Sequence, residues 1–227
     1  MPLIQTQALK KDYLDGKTWV NALRGIDVTI EQGEFAAIAG PSGSGKTTLL
    51  NLIGGLDTAT SGSVHLDGDD ITNMRSRHLN KIRLHKIGFV FQAYNLIPVL
   101  TAQENVEFTM MLQGCPAPER RARAAEILEQ VGLGENMHRR PPALSGGQQQ
   151  RVAVARAIVT HPKIVLADEP TANLDSGTGS KLLDLMRELN EQKNVTFIFS
   201  THDPMVMEYS RRLIRLQDGK IKTDERK

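Results

Sequence analysis

The sequence predicts an α/β fold. A mainly parallel sheet carries helices, an antiparallel β-subdomain sits at the N-terminus, and an α-helical subdomain is inserted at 92–158, all within a single domain over 1–227. Three observations predict it. Short, uninterrupted apolar runs at Phe35–Ala39, Ile164–Ala167 and Val195–Phe199 read as strands buried on both faces. Leu182, Leu185, Met186 and Leu189 fall three or four apart, the spacing of a helix that buries one side. The stretch from about 102 to 160 shows helical periodicity and no strand signal.

Each element follows in chain order. Residues 2–9 and about 19–30 read as extended, and the turn Glu31-Gln32-Gly33 leads into Phe35–Ala39. A helix at Leu49-Leu50-Asn51-Leu52-Ile53 comes next. Val64-His65-Leu66 with Asp67-Gly68 is a strand and turn. Residues 76–85 place Leu79, Ile82 and Leu84 among charges, a short surface helix, and Ile87–Phe91 is a strand. Within 119–132, Ala124, Ile127, Leu128 and Val131 share a face while Glu119 and Arg123 pair at i,i+4 on the other. Pro141-Pro142 breaks the chain, and Ser145 opens a helix to about 160. Asp175 or Ser176 caps the helix of Leu182–Leu189. Arg211–Leu216 and Lys220–Thr223, joined at Asp218-Gly219, form a terminal β-hairpin.

Bulk composition narrows the function. Of 227 residues, 40% are apolar and 24% charged, ordinary for a soluble globular domain. A net charge of +2 gives no electrostatic footprint for nucleic acid, and no nucleic-acid partner is expected. The local clusters Arg120, Arg121, Arg123 and Arg139-Arg140 read as solvated faces. The single cysteine, Cys115, forms no internal disulfide, and a reducing, cytoplasmic setting is expected. No segment approaches the ~18–20 apolar residues that span a bilayer. MPLIQTQALKK at the N-terminus has no signal-peptide core. Work at a membrane therefore calls for another chain.

The chemistry starts at Gly40-Pro41-Ser42-Gly43-Ser44-Gly45-Lys46-Thr47-Thr48. This segment satisfies G-x-x-x-x-G-K-[ST] and lies between a strand and a helix, as a phosphate loop must. Its glycines let backbone N–H groups close on phosphate oxygens, and the helix that follows adds the positive end of its dipole. Lys46 would reach the β- and γ-phosphates, and the Thr47 hydroxyl would ligate Mg²⁺.

Two further strands end in reactive groups. Ile164–Ala167 ends at Asp168-Glu169, and Val195–Phe199 ends at Ser200-Thr201-His202. Ligands of parallel α/β sheets bind at these carboxyl ends. Asp168 fits the Mg²⁺-holding aspartate of phosphate-loop NTPases. Glu169 suits a general base or water-orienting group, or else a cap or turn charge. His202, after the next strand, would contact the γ-phosphate, although a lone histidine is more often structural. Leu144-Ser145-Gly146-Gly147-Gln148 offers free amides at a helix N-terminus, a second anion site far from the first in sequence.

These motifs together resemble the ATP-binding cassette (ABC) ATPases. The match runs over essentially the whole chain and in the family's order: Tyr13, the loop at 40–48, Gln92, the signature at 144–148, Asp168-Glu169, Asp175 and His202. The resemblance implies ATP and Mg²⁺ as ligands, and a head-to-tail homodimer in which ATP lies between one copy's phosphate loop and the other's signature. It implies that Tyr13 stacks on adenine, that Gln92 senses Mg²⁺ and the attacking water, and that Asp175 bridges the copies. The plain alternatives are a surface tyrosine, a polar strand end and a helix cap. The family often has Ser-Ala where this chain has Ala172-Asn173.

The finer pattern, Phe89-Val90-Phe91-Gln92, Asn95-Leu96-Ile97-Pro98, Leu100-Thr101-Ala102 and Glu104-Asn105-Val106, with Gly54-Gly55-Leu56-Asp57, is similar to the lipoprotein-releasing and macrolide-export branch. That implies an ATPase subunit held by a membrane permease at the inner face of the cell membrane. Tyr94–Leu100 is a candidate groove for a cytoplasmic permease helix, or ordinary packing. Three other classes stay open: a soluble ABC ATPase, a cell-division type regulator of a membrane complex, and an importer ATPase. One cassette, no heptad run and little net charge argue against the first.

Overall fold

The computed structural model describes residues 2–227. The chain runs β1 (Ile4–Asp15), β2 (Thr18–Ile30), β3 (Phe35–Ala39), α1 (Lys46–Ile53), β4 (Ser61–Leu66), β5 (Asp69–Asp70), α2 (Ser76–Lys86) and β6 (Ile87–Val90). Then come α3 (Ala102–Leu112), α4 (Ala117–Gln130), two 3₁₀ turns, α5 (Gly146–Ile158), β7 (Ile164–Asp168), α6 (Ser176–Lys193), β8 (Thr196–Thr201), α7 (Pro204–Tyr209), β9 (Arg212–Gln217) and β10 (Lys220–Arg226).

Two sheets form. One is antiparallel, in the order β2-β1-β4-β5, and the other has the order β10-β9-β3-β8-β7-β6. In the second, β3, β6, β7, β8 and β9 are mutually parallel, and only β10 is antiparallel to its neighbour β9. The register is flush at the carboxyl edge: Ala39 lies beside Thr201, and Ser200 beside Asp168. The loops that leave β3, β8, β7 and β6 therefore open side by side.

Both faces of this sheet are covered, which is why its strands are apolar throughout. Phe35, Ala37, Val165, Ala167, Phe197 and Phe199 face one core with α3, α4, α5 and α6. Ala36, Ile38, Ile164, Leu166 and Ile198 face the other, with α1 and the antiparallel sheet. Phe35 and Phe199 meet with ring centroids 4.8 Å apart at 58°, an offset geometry that aromatic pairs favour. Below the sheet's other edge, the Arg212 guanidinium is buried with Asp224 and Glu34 and donates to the Thr29 carbonyl. It ties β9 and β10 to β2 and to the start of β3.

Helix starts follow local chemistry. Thr101 with Glu104 and Ser145 with Gln148 form reciprocal capping boxes that open α3 and α5. Asp175 caps α6 by accepting from the Thr178 N–H at 2.9 Å.

The structure departs from the sequence reading in three places. β1 continues through Lys10-Lys11-Asp12 to Asp15, well past residue 9, because this end of the hairpin is exposed on both sides and carries no apolar alternation. The terminal hairpin joins the main sheet through β9, parallel to β3. Helix α7 was not anticipated; it is a single short stretch, capped by Asp203 and started by Pro204.

Phe199→Ala removes a fully buried ring, and it should cost about 3–5 kcal/mol of unfolding free energy in urea titration. A loss below about 1 kcal/mol would mean that the core on this face does not depend on the aromatic cluster.

Candidate active site

Sequence separates the functional side chains by more than a hundred residues, and the flush register gathers them. Gly40 leaves β3 directly. A Cβ there would come within 2.2 Å of the Leu216 carbonyl oxygen, so only glycine lets the loop turn against β9. Gly45 precedes α1 at φ 100°, a conformation that side chains rarely adopt. The loop between them curls so that the Lys46 ammonium donates to the carbonyls of Gly40 and Pro41 at 2.8 and 2.9 Å. Helix α1 starts at Lys46, so its first-turn N–H groups face the same space.

Two strands away, at the end of β7, the Asp168 carboxylate accepts from the Thr47 hydroxyl at 3.1 Å. This hydroxyl–carboxylate pair lies beside the phosphate loop. Mg²⁺ takes all-oxygen ligands, commonly one or two carboxylates completed by phosphates and water. The donor set fits that ion. No cluster of three or more His, Cys, Asp or Glu that could hold a metal ion is present among the described residues.

Glu169 takes the left-handed region at φ 46°, which costs a non-glycine residue about 1–3 kcal/mol. The turn swings its carboxylate back across β8. Oε1 lies 2.6 Å from His202 Nδ1, and Oε2 accepts from the Thr201 hydroxyl at 3.2 Å. The Glu169 side chain is only 14% exposed, whereas His202 is 69% exposed. The acid is thus held from behind while the imidazole stands in the opening.

One cleft of about 1040 Å³ takes in Tyr13, the phosphate loop, Gln92, Glu169 and His202. Tyr13 comes from the N-terminal hairpin. Its hydroxyl donates to Asp57 at 2.6 Å. Partial burial and the hydrogen bond to this carboxylate push the phenol up from its ordinary value.

Leu144–Gln148 and Asp175 do not line this cleft. Ser145 is exposed at the start of α5, with its hydroxyl engaged by the Gln148 N–H. Gly147 abuts Thr178, where a Cβ would meet its methyl at 2.4 Å. Asn173, where the resemblance has alanine, donates to the Gln92 carbonyl at 2.9 Å. Gln150, fully buried in α5, donates to the Pro170 carbonyl at 2.8 Å. These two amides bind the signature helix and the segment after Glu169 to one another and to Gln92. Nothing in the sequence marked either of them, nor Thr201, Lys11 or Asp57 as partners of the site.

The stretch 94–100 divides. Leu96 packs on the main core. Asn95 and Ile97 line an apolar groove of about 720 Å³ with Phe89, Phe91 and Leu112.

A family model described as ABC transporter matches residues 23–172. The lipoprotein-releasing system ATP-binding protein LolD of Alcanivorax borkumensis is 44% identical over 221 residues, covering 97% of this chain and 97% of that protein. The macrolide export ATP-binding/permease protein MacB of Brucella melitensis is 47% identical over 226 residues, which is 100% of this chain but 35% of that protein; the chain spans about a third of its length. A solved dimer of the cassette MJ0796 of Methanocaldococcus jannaschii, in a post-hydrolysis state bound to ADP and Pi, has a TM-score of 0.91 at 44% identity, with 98% of each chain covered.

The raised Tyr13 phenol gives a titration with a definite sign. The folded state keeps the proton longer than the unfolded one, so the associated stability is present below about pH 10 and is lost as pH rises through the folded value. Ultraviolet titration of the folded protein should show a late-ionising phenol that Tyr13→Phe removes. An unchanged titration curve in Tyr13→Phe would sink the bond to Asp57.

Proposed function

We propose a working cycle for this chain, which belongs to the ABC transporter family of ATP-binding proteins and is an ATPase. The observation that carries it is the Glu169–His202 pair, 2.6 Å apart at the mouth of the cleft that holds the phosphate loop.

ATP lies along this cleft with its base against Tyr13 and its phosphates in Gly40–Thr48. Lys46 leaves the carbonyls of Gly40 and Pro41 for the β- and γ-phosphates, exchanging neutral acceptors for anionic ones. Thr47 and Asp168, with Gln92 near, would hold Mg²⁺, which would supply charge neutralisation to the phosphates. The Glu169 carboxylate takes a proton from water as the water oxygen bonds to the γ-phosphorus. The bond from that phosphorus to the β–γ bridging oxygen breaks, and ADP and phosphate leave. Thr201 and His202 fix the carboxylate, and the exposed His202 ring also reaches the γ-phosphate.

The signature, Leu144–Gln148, stands outside this cleft; its capping box engages the Ser145 and Gln148 N–H groups and leaves those of Gly146 and Gly147 to meet an anion. That supports a head-to-tail homodimer in which Ser145 and Gly147 of a second copy close over the γ-phosphate and Asp175 lies at the seam. ATP favours the closed dimer, and loss of the γ-phosphate contacts reopens it. The solved relative is itself a dimer.

The power is delivered to a membrane permease. No helix among the described residues is long and apolar enough to cross a membrane. The groove at Phe89, Phe91, Ile97 and Leu112 suits an apolar cytoplasmic helix, and its rim residues Leu56 and Leu112 are 43% and 56% exposed. The chain thus works at the inner face of the cell membrane through its permease. Similarity to lipoprotein-releasing and macrolide-export proteins supports an exporter or extraction system. The helical subdomain at 92–158, which carries the signature, is the part that groove contacts would move.

Glu169→Gln should bind ATP, hydrolyse it at least about 100-fold more slowly and accumulate as a dimer on a sizing column with ATP. Turnover at the normal rate would overturn the general-base assignment. Lys46→Ala should weaken ATP binding at least 10-fold by calorimetry, and unchanged affinity would overturn the phosphate cradle.

A further inference from the structure

Tyr13 does not stand free. Its hydroxyl donates to Asp57 Oδ2 at 2.6 Å, and the Lys11 ammonium donates to Asp57 Oδ1 at 2.7 Å. The same ammonium donates to the Thr58 carbonyl at 2.7 Å and sits over the Tyr13 ring, 4.7 Å from its centroid. Lys11 is nearly buried for a lysine, with 12% of its side chain exposed. The three groups form a closed triangle: carboxylate to phenol, carboxylate to ammonium, ammonium to ring.

This triangle has two mechanical consequences. A ring has two faces, and the ammonium caps one of them; since the ring lines the cleft, only the other face is left for a ligand. The hydroxyl is pinned as well, so neither side-chain torsion of Tyr13 is free. A side chain ordered in advance loses less entropy when a ligand stacks on it.

The anchor is what gives the triangle its reach. Asp57 follows α1 directly through Gly54-Gly55-Leu56, and Leu56 is bonded back to the Asn51 carbonyl at the end of that helix. Helix α1 begins with Lys46 and Thr47. The base platform on β1 and the phosphate loop on β3 belong to different sheets, yet Asp57 ties the platform to the helix that holds the phosphates. Thr60 adds a second tie, accepting from the Asp12 N–H at 2.9 Å.

We propose that Asp57 and Lys11 are positioning residues for the nucleotide base: they hold Tyr13 as a one-sided platform at a set distance from the phosphate loop. The proposal rests on the reading of Tyr13 as the surface that meets the base. It predicts that the chain distinguishes a nucleoside triphosphate from a bare triphosphate through this triangle.

The test is calorimetric titration of the full chain with Mg·ATP and with inorganic tripolyphosphate, in Tyr13→Ala, Asp57→Asn, Lys11→Met and the double variant Tyr13→Ala/Asp57→Asn. Tyr13→Ala should weaken ATP binding at least 10-fold and leave tripolyphosphate unchanged; equal ATP affinity there overturns the platform reading itself. With that effect in hand, Asp57→Asn and Lys11→Met should each weaken ATP about 3- to 10-fold and spare tripolyphosphate, and Asp57→Asn should add nothing in the Tyr13→Ala background. A cost of Asp57→Asn that persists in the double variant, or that falls equally on tripolyphosphate, overturns the proposal. Fluorescence of Trp19, the single tryptophan, which lines the same cleft, gives an independent readout of ATP in all variants that keep Tyr13.

Discussion

The site depends on the register of four parallel strands. Ala39 is level with Thr201, Ser200 with Asp168, and Val90 with Ala167. Because all four run the same way, their exits lie on one edge, and each exit delivers a different group: an amide-lined loop, a histidine, a carboxylate pair and a glutamine. A slip of one residue in β7 would turn Asp168 away from Thr47 and carry an apolar side chain into its place. The register is held by burial on both faces. Alternate residues of every strand belong to different cores, so a slip would exchange Phe197 and Phe199 with Ile198 between two differently packed cores.

Glu169 shows what that rigid edge permits. Its left-handed backbone is unfavourable, and its hydrogen-bonded surroundings hold it there. The Glu169 N–H donates to the Ser200 carbonyl at 2.9 Å, while its carboxylate takes bonds from Thr201 and faces His202. Both ends of the residue are thus fixed to β8. The carboxylate stays nearly covered beside an open imidazole, and the strain is localised at the residue whose direction matters most.

The fold was legible because its signals were local. Uninterrupted apolar runs marked the buried strands, and three- and four-residue spacing marked α4 and α6. The phosphate loop was legible because a close backbone approach needs glycine at particular positions, and Gly40 and Gly45 are those positions. What stayed hidden was non-local or polar. The exposed end of the β1–β2 hairpin has no apolar alternation to read. The Arg212 network joins residues 29, 34, 212 and 224, and its polarity looked like surface until the fold buried it. Asp57, Thr201 and Asn173 carry no pattern of their own. Each acts by pairing with a site residue whose spatial neighbours the sequence does not state.

The same pairing logic joins the cleft to the apolar groove. Arg156, in the last turn of α5, donates to the carbonyls of Tyr94 and Asn95, both of which sit in the left-handed region. In the N-terminal half of that helix, Gln150 donates to the Pro170 carbonyl, next to Glu169, and Asn173, further along that same segment, donates to the Gln92 carbonyl. The apolar groove is lined by Asn95, Ile97 and Arg156. One helix thus touches the groove at its C-terminal end and carries the signature at its N-terminal end. Between them, amide bonds reach the strand exits of β6 and β7. A continuous covalent and hydrogen-bonded path thus runs from the groove wall to the strand exits and to Leu144–Gln148, and it lies outside the sheet, whose packed faces resist rearrangement. The rigid edge fixes where the reactive groups stand, and α5 is the element that spans from the groove to the signature segment.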